Sequence, residues 1–321
     1  MLAVSATSQS DSDPLSGLTV GDVPDPEVPA GWTTVTVKAA ALNHHDIWSL
    51  RGVGLSADQL PMILGCDAAG IDASGREVIV HAVIADAERY PDETLDPKRT
   101  LLSEKHQGAM AERVVVPARN VVPKPTDLSW EEAACLPTAW LTAYRMLFTK
   151  GEVREGTSVL IQGAGGGVAT AALLLAKAAG ATVYVTTRDE AKRARAVELG
   201  ADLALETGGR VPDRVDAVME TVGQATWSHS LKSLKPGGRL VVSGATSGPN
   251  PPADLNRVFF LQLAVLGSTM GTRDELEAMC GFLAKTGTKP LVDSVRPLSE
   301  AAAAFAQMNE GETFGKLVLT T

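Results

Sequence analysis

The sequence predicts an α/β fold in which a doubly wound parallel sheet accompanies an irregular β-barrel. The first observation behind this prediction is a strand, a glycine turn, a helix and a second strand in succession between Ser158 and Arg188. The second is that short apolar runs keep alternating with helical segments as far as Gly267, which is typical of a parallel sheet with helices on both faces. The third is the character of residues 1–125, where short β-type runs are separated by Pro, Gly and Asp, as in irregular barrels.

The central unit begins with a strand and an apolar helix that are joined by a glycine-rich turn. Ser158–Gln162 is a short β-rich run of the kind that is buried on both faces of a parallel sheet. Val168–Ala179 is almost free of charge, so a helix there is covered on most sides. Four glycines lie between the two segments: Gly163, Gly165, Gly166 and Gly167.

This turn is a candidate site for the diphosphate of a dinucleotide. Glycines permit positive φ and leave backbone N–H groups open to a ligand, and the helix directs its positive dipole end to the same place. The spacing is not a regular G-x-G-x-x-G, but it reads Gly163-x-x-Gly166-x-x-Ala169 with a tolerated Ala at the helix-packing position. The residues predicted to bind the cofactor here are the four glycines and Val168. The alternative is a glycine turn that binds nothing.

The end of the second strand, Thr182–Thr187, predicts that the cofactor is NADP(H). NAD enzymes usually place Asp or Glu about 20 residues past the glycine turn to hold the ribose hydroxyls. Here Thr187 and Arg188 occupy that place, with Lys192 one turn further on, and hydroxyl and guanidinium groups suit a 2′-phosphate. Asp189 keeps NAD open as an alternative, although we expect its carboxylate to cap the next helix. Arg188 as a merely solvated charge is the other alternative.

Composition excludes several classes of function. The chain has 321 residues and a net charge of −9 with acidic and basic residues intermixed, which argues against a nucleic-acid partner. Its three cysteines are far apart and show no C-x-x-C spacing, which suits a reducing compartment. The N-terminal segment has no basic region or long apolar core, and no later apolar run approaches the ~18 residues of a membrane span. We therefore expect a cytoplasmic protein with no membrane partner.

Turn-forming residues at positions 123–127 predict a domain boundary. The dinucleotide-binding domain is expected over 126–268, and the other domain over 1–125 and 269–321, with a terminal strand at Lys316–Thr320 rejoining it. Ser129 is the predicted N-cap of the helix that follows the boundary. Ala85–Gln107 is polar and charged and predicts a surface loop.

Spaced motifs identify a family that this sequence resembles. In order they are LNHHDIW near position 45, GAMAERVVVPARNVVPKP from Gly108, EEAACLPTAWLTAYRML from Glu131, the glycine unit, VELGAD, LKPGGRLVVSG, LGSTMGTRDEL and FGKLVL. Together they resemble the medium-chain dehydrogenase/reductase superfamily, and within it the zinc-independent quinone-oxidoreductase-like branch. The resemblance implies a GroES-like barrel, a Rossmann domain, a cofactor in the cleft between them and, commonly, a homodimer. It also implies that Lys316, Gly244 and Gly271 contribute to the cofactor site.

The sequence departs from the zinc enzymes of that superfamily at their metal ligands. Their catalytic ligands map to Asn43, Cys66 and Thr138, of which only the cysteine binds zinc well, whereas a catalytic site needs three protein ligands. The four cysteines of their structural zinc lobe have no counterpart in Ala85–Gln107. We therefore predict no metal. The alternative is an improvised site made by His44, His45, Cys66 and Asp67.

Without a Lewis acid, conjugated acceptors remain accessible to hydride, because the developing charge can delocalise onto oxygen. Asn43 is the predicted oxyanion donor, since an amide donates without titrating. His45 occupies the position of a proton-relay hydroxyl in the zinc relatives and is the predicted acid. The alternative is that His44, His45 and Asp46 form a hydrogen-bonded structural turn. Gly54 stands where enoyl-thioester reductases of the superfamily commonly carry a tyrosine, which disfavours an acyl-thioester substrate.

The sequence thus predicts an NADPH-dependent, zinc-free oxidoreductase that transfers hydride to a small molecule, either a quinone or an α,β-unsaturated carbonyl compound. Two alternatives stay open. One is a reductase or dehydrogenase of a specialised metabolite. The other is a dinucleotide-binding regulatory protein with little turnover.

Overall fold

The computed structural model describes residues 1–321 and divides them into two compact units. The first unit combines Met1–Leu141 with Gly271–Thr321, and the second is Thr142–Met270. The breaks fall after Leu141 and Met270, compared with predicted boundaries after residues 125 and 268. The first break is later because the helix that follows Ser129 packs against strands of the first unit.

Strands dominate the N-terminal part of the first unit. They are β1 (Leu2–Ala6), β2 (Leu18–Asp22), β3 (Trp32–Ala41), β4 (Met62–Ile63), β5 (Asp67–Asp72), β6 (Glu77–Val80), β7 (Val83–Ile84), β8 (Thr100–Leu101), β9 (Arg113–Pro117) and β10 (Val121–Pro123). Two short helices accompany them, α1 (His44–Leu50) and α2 (Trp130–Ala134). The Ser129 hydroxyl accepts the Glu132 N–H at the start of α2, which confirms the predicted cap. A helical run with wide π-type turns continues through α3 (Leu141–Tyr144) to Lys150.

The second unit alternates strands and helices. They are β11 (Ser158–Gln162), α4 (Gly167–Ala178), β12 (Thr182–Thr186), α5 (Glu190–Glu198), β13 (Leu203–Leu205), β14 (Val215–Glu220), α6 (Trp227–Ser233), β15 (Leu234–Val242), α7 (Leu255–Phe260) and β16 (Ala264–Gly267). All six strands are parallel, in the order β13-β12-β11-β14-β15-β16. This is the doubly wound 3-2-1-4-5-6 order of dinucleotide-binding sheets, so the predicted Rossmann architecture is confirmed.

The C-terminal segment returns to the first unit. Its elements are α8 (Arg273–Thr286), β17 (Val292–Pro297), α9 (Ala301–Glu310) and β18 (Lys316–Thr320). Strand β18 pairs antiparallel with β3, which confirms that the last strand rejoins the barrel. The seven-stranded sheet runs β10-β6-β5-β3-β18-β17, with β9 also paired to β3, and the smaller sheets are β2-β1-β4 and β7-β8. One buried apolar core, to which Val35, Leu42 and Phe305 belong, joins the N-terminal strands to α9.

The prediction of a surface loop at Ala85–Gln107 is correct only in part, because most of the segment is irregular and exposed or half-buried, but not all of it. Strand β8 lies in this segment and pairs with β7, and several of its polar side chains are buried. They are buried because they have partners: Asp96 accepts the N–H groups of Asp86 and Lys98 at 2.9 and 2.8 Å, and Glu93 forms an ion pair with Arg119 at 2.7 Å. The polarity of these buried residues therefore reflects an internal hydrogen-bond network, whereas the exposed charges of the segment face solvent. None of the helices in the structure has the length and apolar character that crossing a bilayer requires.

Candidate active site

The glycine turn of the second unit has the geometry of an anion cradle. Gly163 and Gly165 have φ angles of +77° and +109°, in the region that favours glycine. A Cβ on Gly163 would lie 2.9 Å from a methyl of Val222, so only glycine fits. Helix α4 begins directly after Gly166, and the first-turn N–H groups of a helix have no acceptor within it. The turn thus offers close approach and free donors to a diphosphate.

The end of strand β12 places the predicted ribose-binding residues on one short loop. Arg188 is exposed, whereas Thr187 is buried and donates its backbone N–H to Leu205 O at 3.0 Å. The Asp189 carboxylate accepts the Lys192 N–H at 3.0 Å, so Asp189 caps α5 as predicted. Arg193 was not predicted, and it donates to the carbonyls of Thr187 and Arg188 at 3.1 and 3.2 Å. The loop is therefore held in place while the Arg188 side chain points outward.

A buried polar network lies behind this loop and was not predicted. Thr186 donates to the Gln162 side chain, Gln162 donates to the Ser230 hydroxyl at 3.0 Å, and Ser230 donates to Glu220 at 2.6 Å. Glu220 also accepts the backbone N–H groups of Val222 and Gly223 at 2.8 and 3.0 Å. Its carboxylate thereby shapes the segment that packs against Gly163.

The two remaining glycines predicted from the resemblance are both required by packing. A Cβ on Gly244, which follows β15, would lie 2.8 Å from Thr221 O. A Cβ on Gly271, which precedes α8 in the first unit, would lie 2.7 Å from the Leu141 side chain, and its carbonyl accepts from His81 Nε2 at 2.9 Å. Their contribution to cofactor binding stays a prediction.

In the first unit, the segment that begins at Asn43 is anchored by Asp46. One carboxylate oxygen accepts the Asn43 N–H at 2.8 Å and the other accepts the Gly65 N–H at 3.1 Å. Burial raises the pKa of Asp46 to about 6, against the lowering effects of His45 and of the Asn43 N–H. Asp46 thus has the structural role that was the alternative in the sequence analysis.

The side chain of Asn43 is enclosed in a second buried network. Its amide donates to Asp67 at 2.9 Å and to Ala41 O at 3.4 Å, and its oxygen accepts from Lys316 Nζ at 2.6 Å. These bonds use both amide protons, so this geometry does not provide the free oxyanion donor that was predicted for Asn43. The predicted role would require the amide to leave Asp67.

Lys316 supplies the positive charge of this network. Its Nζ atom donates to Leu42 O at 2.6 Å, to Asn43 at 2.6 Å and to Asp67 at 3.2 Å, and the residue is 3% exposed. Burial raises the pKa of the Asp67 carboxyl, against the lowering effect of Lys316 and of the adjacent Thr138 hydroxyl. The Thr138 hydroxyl makes no hydrogen bond to any protein group. All three protons of the ammonium have protein acceptors, and its predicted contact with the cofactor stays a prediction.

His45 lies between a thiol and a carboxylate. Its Nε2 atom is 3.2 Å from Glu104 Oε1 and its Nδ1 atom is 3.5 Å from Cys66 Sγ. The thiol donates its own proton to Leu102 O at 3.2 Å, so its sulfur is left to accept. Both ring nitrogens therefore face acceptors, which favours the doubly protonated imidazolium.

The pKa of His45 follows from these contacts. Burial lowers it, but the Cys66 sulfur, the Glu104 carboxylate and Asp46 together raise the pKa well above its ordinary value. The side chain remains 16% exposed. Beside it, Gly54 has a φ of +83°, and a Cβ there would lie 3.4 Å from Glu104 and 3.7 Å from His45 Nε2. The absence of a side chain at Gly54 leaves the imidazole open on that side, whereas His44 is exposed and outside this group.

The donors do not fit a catalytic zinc ion, for which three protein ligands are needed. Of the positions that correspond to the zinc ligands, Asn43 binds Lys316, and Thr138 offers only a neutral hydroxyl. The third, Cys66, is the only one of the three whose side chain binds zinc well.

The improvised alternative of His44, His45, Cys66 and Asp67 is not assembled as a set, because His44 is exposed and Asp67 pairs with Lys316. His45 and Cys66 instead bring their ligand atoms within 4.8 Å of those of Asp46. Both Asp46 oxygens accept backbone N–H groups, with which a metal ion would have to compete.

Known proteins resemble this chain over most of its length. The sequence profile described as the alcohol dehydrogenase GroES-like domain matches residues 29–126, and the profile described as zinc-binding dehydrogenase matches residues 167–285. Among curated proteins, the acryloyl-coenzyme A reductase of Metallosphaera sedula is 30% identical over 95% of this chain and 97% of its own length.

Solved structures give the same result. The crystal structure of an NAD-dependent alcohol dehydrogenase has a TM-score of 0.92 at 35% identity, with 100% of both chains covered. The 2-octenoyl-CoA carboxylase reductase CinF, in complex with NADP and 2-octenoyl-CoA, has a TM-score of 0.91 at 25% identity over 99% of this chain and 87% of that one. With a GroES-like barrel, a Rossmann sheet and relatives that match over nearly their whole length, the chain belongs to the medium-chain dehydrogenase/reductase superfamily of oxidoreductases.

Proposed function

We propose that this chain is an NADPH-dependent, zinc-free reductase of α,β-unsaturated carbonyl compounds, with quinones as further acceptors of the same kind. The observation that carries the proposal is the Lys316 ammonium, which binds Asn43 and Asp67 at the place where zinc relatives have a metal ligand. Because the Lys316 ammonium already binds the side chains of Asn43 and Asp67, these two side chains are not available to a divalent metal ion. The chemistry then has to be one that needs no Lewis acid.

When bound, NADPH supplies the hydride that adds to the β-carbon of the conjugated acceptor. The negative charge then moves to the carbonyl oxygen, and the product needs one proton to become the saturated compound. His45 holds such a proton, because Glu104 and Cys66 keep both of its ring nitrogens protonated. The open side at Gly54 gives a reacting molecule a route to the imidazole. His45 is thus the proposed acid, with Glu104 as its positioning residue, and proton transfer requires the Nε2–H group to turn from Glu104 to the substrate.

The residues for NADPH are those of the glycine turn and the β12 loop. Gly163, Gly165, Gly166, Gly167 and Val168 are proposed to hold the diphosphate, and Thr187, Arg188 and Lys192 the 2′-phosphate. The relatives differ, since the structure with 35% identity is of an NAD-dependent enzyme and CinF holds NADP. The loop decides for NADPH, because its one carboxylate, that of Asp189, is engaged as a helix cap.

Enoyl thioesters rank first among the acceptors to be tested. Two relatives are named for coenzyme A thioesters, an acryloyl-coenzyme A reductase and a 2-octenoyl-CoA carboxylase reductase. Gly54 stands where many enoyl-thioester reductases carry a tyrosine. This difference points instead to free enones or quinones. Both groups of acceptors require the same hydride addition, so the site supports either.

The test is a turnover screen with NADPH and NADH against an enoyl-CoA thioester, a free enone, a quinone and an aldehyde, and with NADP+ and NAD+ against a primary alcohol. We expect conjugated acceptors to be reduced with NADPH, and the aldehyde and the alcohol to be inert. EDTA should leave the rate unchanged. Activity that EDTA abolishes and zinc restores would overturn the metal-free account, and NADPH binding without any turnover would favour a regulatory dinucleotide-binding protein.

The cofactor residues have their own matched variants. Arg188→Ala should raise the KM for NADPH about tenfold, the effect of losing one charge-assisted hydrogen bond of about 1.5 kcal/mol, with little change for NADH. Arg154→Ala is the control, because Arg154 is an exposed arginine that precedes strand β11 at the opposite end of the sheet. Equal KM values for wild type and Arg188→Ala would remove Arg188 from the phosphate site.

A further inference from the structure

The small sheet β2-β1-β4 in the first unit has two different faces. Val4 and Ala6 of β1 face the barrel core, whereas Ala3 packs with Ile63 in a separate cluster. Because side chains alternate along a strand, Ser5 shares the face of Ala3. That face borders a cavity of about 650 Å³.

The walls of this cavity are mostly apolar and rigid. They include Pro24, Pro29, Trp32, Ile63 and Val114, and the Trp32 ring lies 5.0 Å from the ring of His106. Small-molecule sites typically have about 300–1,000 Å³ and a largely apolar lining with a few polar groups. The cavity meets this description, and it contains no residue of the candidate active site.

Ser5 supplies a polar group on the floor. The residue is 6% exposed, and its backbone is paired with Thr19 and Ile63. Its hydroxyl has no hydrogen-bond partner in the protein and is not one of the fully enclosed polar atoms, so it is open to the cavity. A ligand with a carbonyl or hydroxyl group could bond to it in place of water.

The charged groups around the cavity are already paired or lie in solvent. Arg113 and the N-terminal ammonium of Met1 share Asp25, at 2.5 and 3.8 Å, whereas Lys105 and Glu27 are exposed. Burial, followed by the nearby Lys105, lowers the pKa of His106, which disfavours its charged form. This arrangement favours an uncharged ligand, because a charged one would be desolvated without a partner.

We propose that this cavity binds a neutral aromatic molecule, with its rings against Trp32 and the prolines and an oxygen hydrogen-bonded to Ser5. Such a ligand is separate from the cofactor and from the substrate of the proposed reductase. Flat walls of proline and tryptophan complement a planar ring system, and their rigidity lowers the entropic cost of binding.

The probe for this site is 6-propionyl-2-(dimethylamino)naphthalene, a neutral naphthyl ketone whose emission shifts to the blue in apolar surroundings. It is titrated into the full-length protein in the presence of saturating NADPH, which occupies the cofactor site. We expect saturable binding at one site. Ser5→Phe, which fills the cavity, should weaken binding at least tenfold, Trp32→Ala about tenfold, and Ser5→Ala about fivefold for the loss of one hydrogen bond of about 1 kcal/mol.

The matched control is Ser12→Phe, which alters an exposed serine of the same N-terminal region and should leave the affinity unchanged. Far-UV circular dichroism checks each fold, and Ser5→Ala and Trp32→Ala decide the question if Ser5→Phe does not fold. Binding that survives both changes, or that a reducible enone displaces competitively, would overturn the proposal. So would affinity that falls as protein concentration rises, because a second copy of the chain would then cover the cavity.

Discussion

The imidazole of His45 is the best-defined chemical group in the candidate active site. A carboxylate and a sulfur accept from its two nitrogens at 3.2 and 3.5 Å, and such neighbours stabilise the charged ring. A histidine with a raised pKa can serve as an acid near neutral pH, when an unperturbed one would already be largely deprotonated. The test of this role is therefore to compare the measured pKa of His45 with the ordinary pKa of histidine.

Replacing Glu104 with Gln should lower the pKa of His45. The amide keeps the shape and can still accept a hydrogen bond, but the negative charge is lost. We expect the midpoint to fall by about one unit, equivalent to about 1.4 kcal/mol, in an NMR titration of the imidazole Cε1–H signals with His45→Asn used for assignment. A wild-type midpoint at or below the ordinary histidine value would contradict the assignment.

The same substitution has a defined effect on stability. A pKa that is raised in the folded state adds stability below the unfolded pKa, and this contribution is lost as pH rises through the folded value. The difference in unfolding free energy between wild type and Glu104→Gln should therefore be largest near pH 6 and vanish at alkaline pH.

The alkaline limb of the pH–rate profile should move to lower pH with the same variant. Glu112→Gln is the control, because it changes another carboxylate of the first unit and should not move this limb.

At the scale of elements, strand β18 brings the last residues of the chain to the first unit's candidate site. It pairs with β3, and its first residue, Lys316, thereby reaches Asn43 and Asp67. Asp67 is 0% exposed, so its carboxylate depends on the ammonium for compensation. Removing one partner of a buried ion pair leaves an uncompensated charge, which typically costs about 3–5 kcal/mol.

Lys316→Met should accordingly destabilise the protein by about 3–5 kcal/mol, as measured by urea unfolding. The loss should grow with pH, because the pKa of Asp67 rises further without the ammonium and its ionisation then opposes folding. The double variant Lys316→Met/Asp67→Asn should recover most of the stability. Lys38→Met, at an exposed position of strand β3, is the control. Equal stability of the single and double variants would show that the two groups are uncoupled. The NADPH affinity of the double variant tests whether Lys316 also reaches the cofactor.

Local signals in the sequence were sufficient for most elements and insufficient for the contacts between them. Strand β11 has the predicted bounds. Ser129 and Asp189 are the predicted N-caps, and the side-chain oxygen of each accepts a backbone N–H group at the start of a helix. Glu104 is 59 residues from His45, and Lys316 is 273 residues from Asn43. No spacing rule connects positions so far apart, so their pairing depends on how the strands assemble.

The buried part of the predicted surface loop has a related cause. Asp96 and Glu93 are buried with polar partners, and polarity alone does not distinguish an internal network from solvation. The same limit applied to Asn43, whose amide was predicted to face substrate. Both of its protons are instead taken by protein acceptors.

At the scale of the whole molecule, the second unit presents an unpaired sheet edge and an apolar helix. Strand β16 is the last strand of the six-stranded sheet, so one row of its backbone groups has no partner in the chain. Helix α7 nearby exposes Leu255, Phe259 and Phe260, the last at 76%. An exposed edge with a neighbouring apolar surface is a template for pairing with another chain.

We therefore expect two copies to associate through β16 and α7, as a two-fold interface in which each edge strand pairs with its counterpart. Phe260→Lys should shift the protein towards monomer in sedimentation velocity, because it places two like charges and their desolvation cost at the centre of the contact. Val197→Lys is the matched control: Val197 is 52% exposed on α5, which packs beside β12 and β13 at the other end of the sheet. An unchanged sedimentation coefficient for Phe260→Lys, or a monomeric wild type, would show that this edge is not the contact.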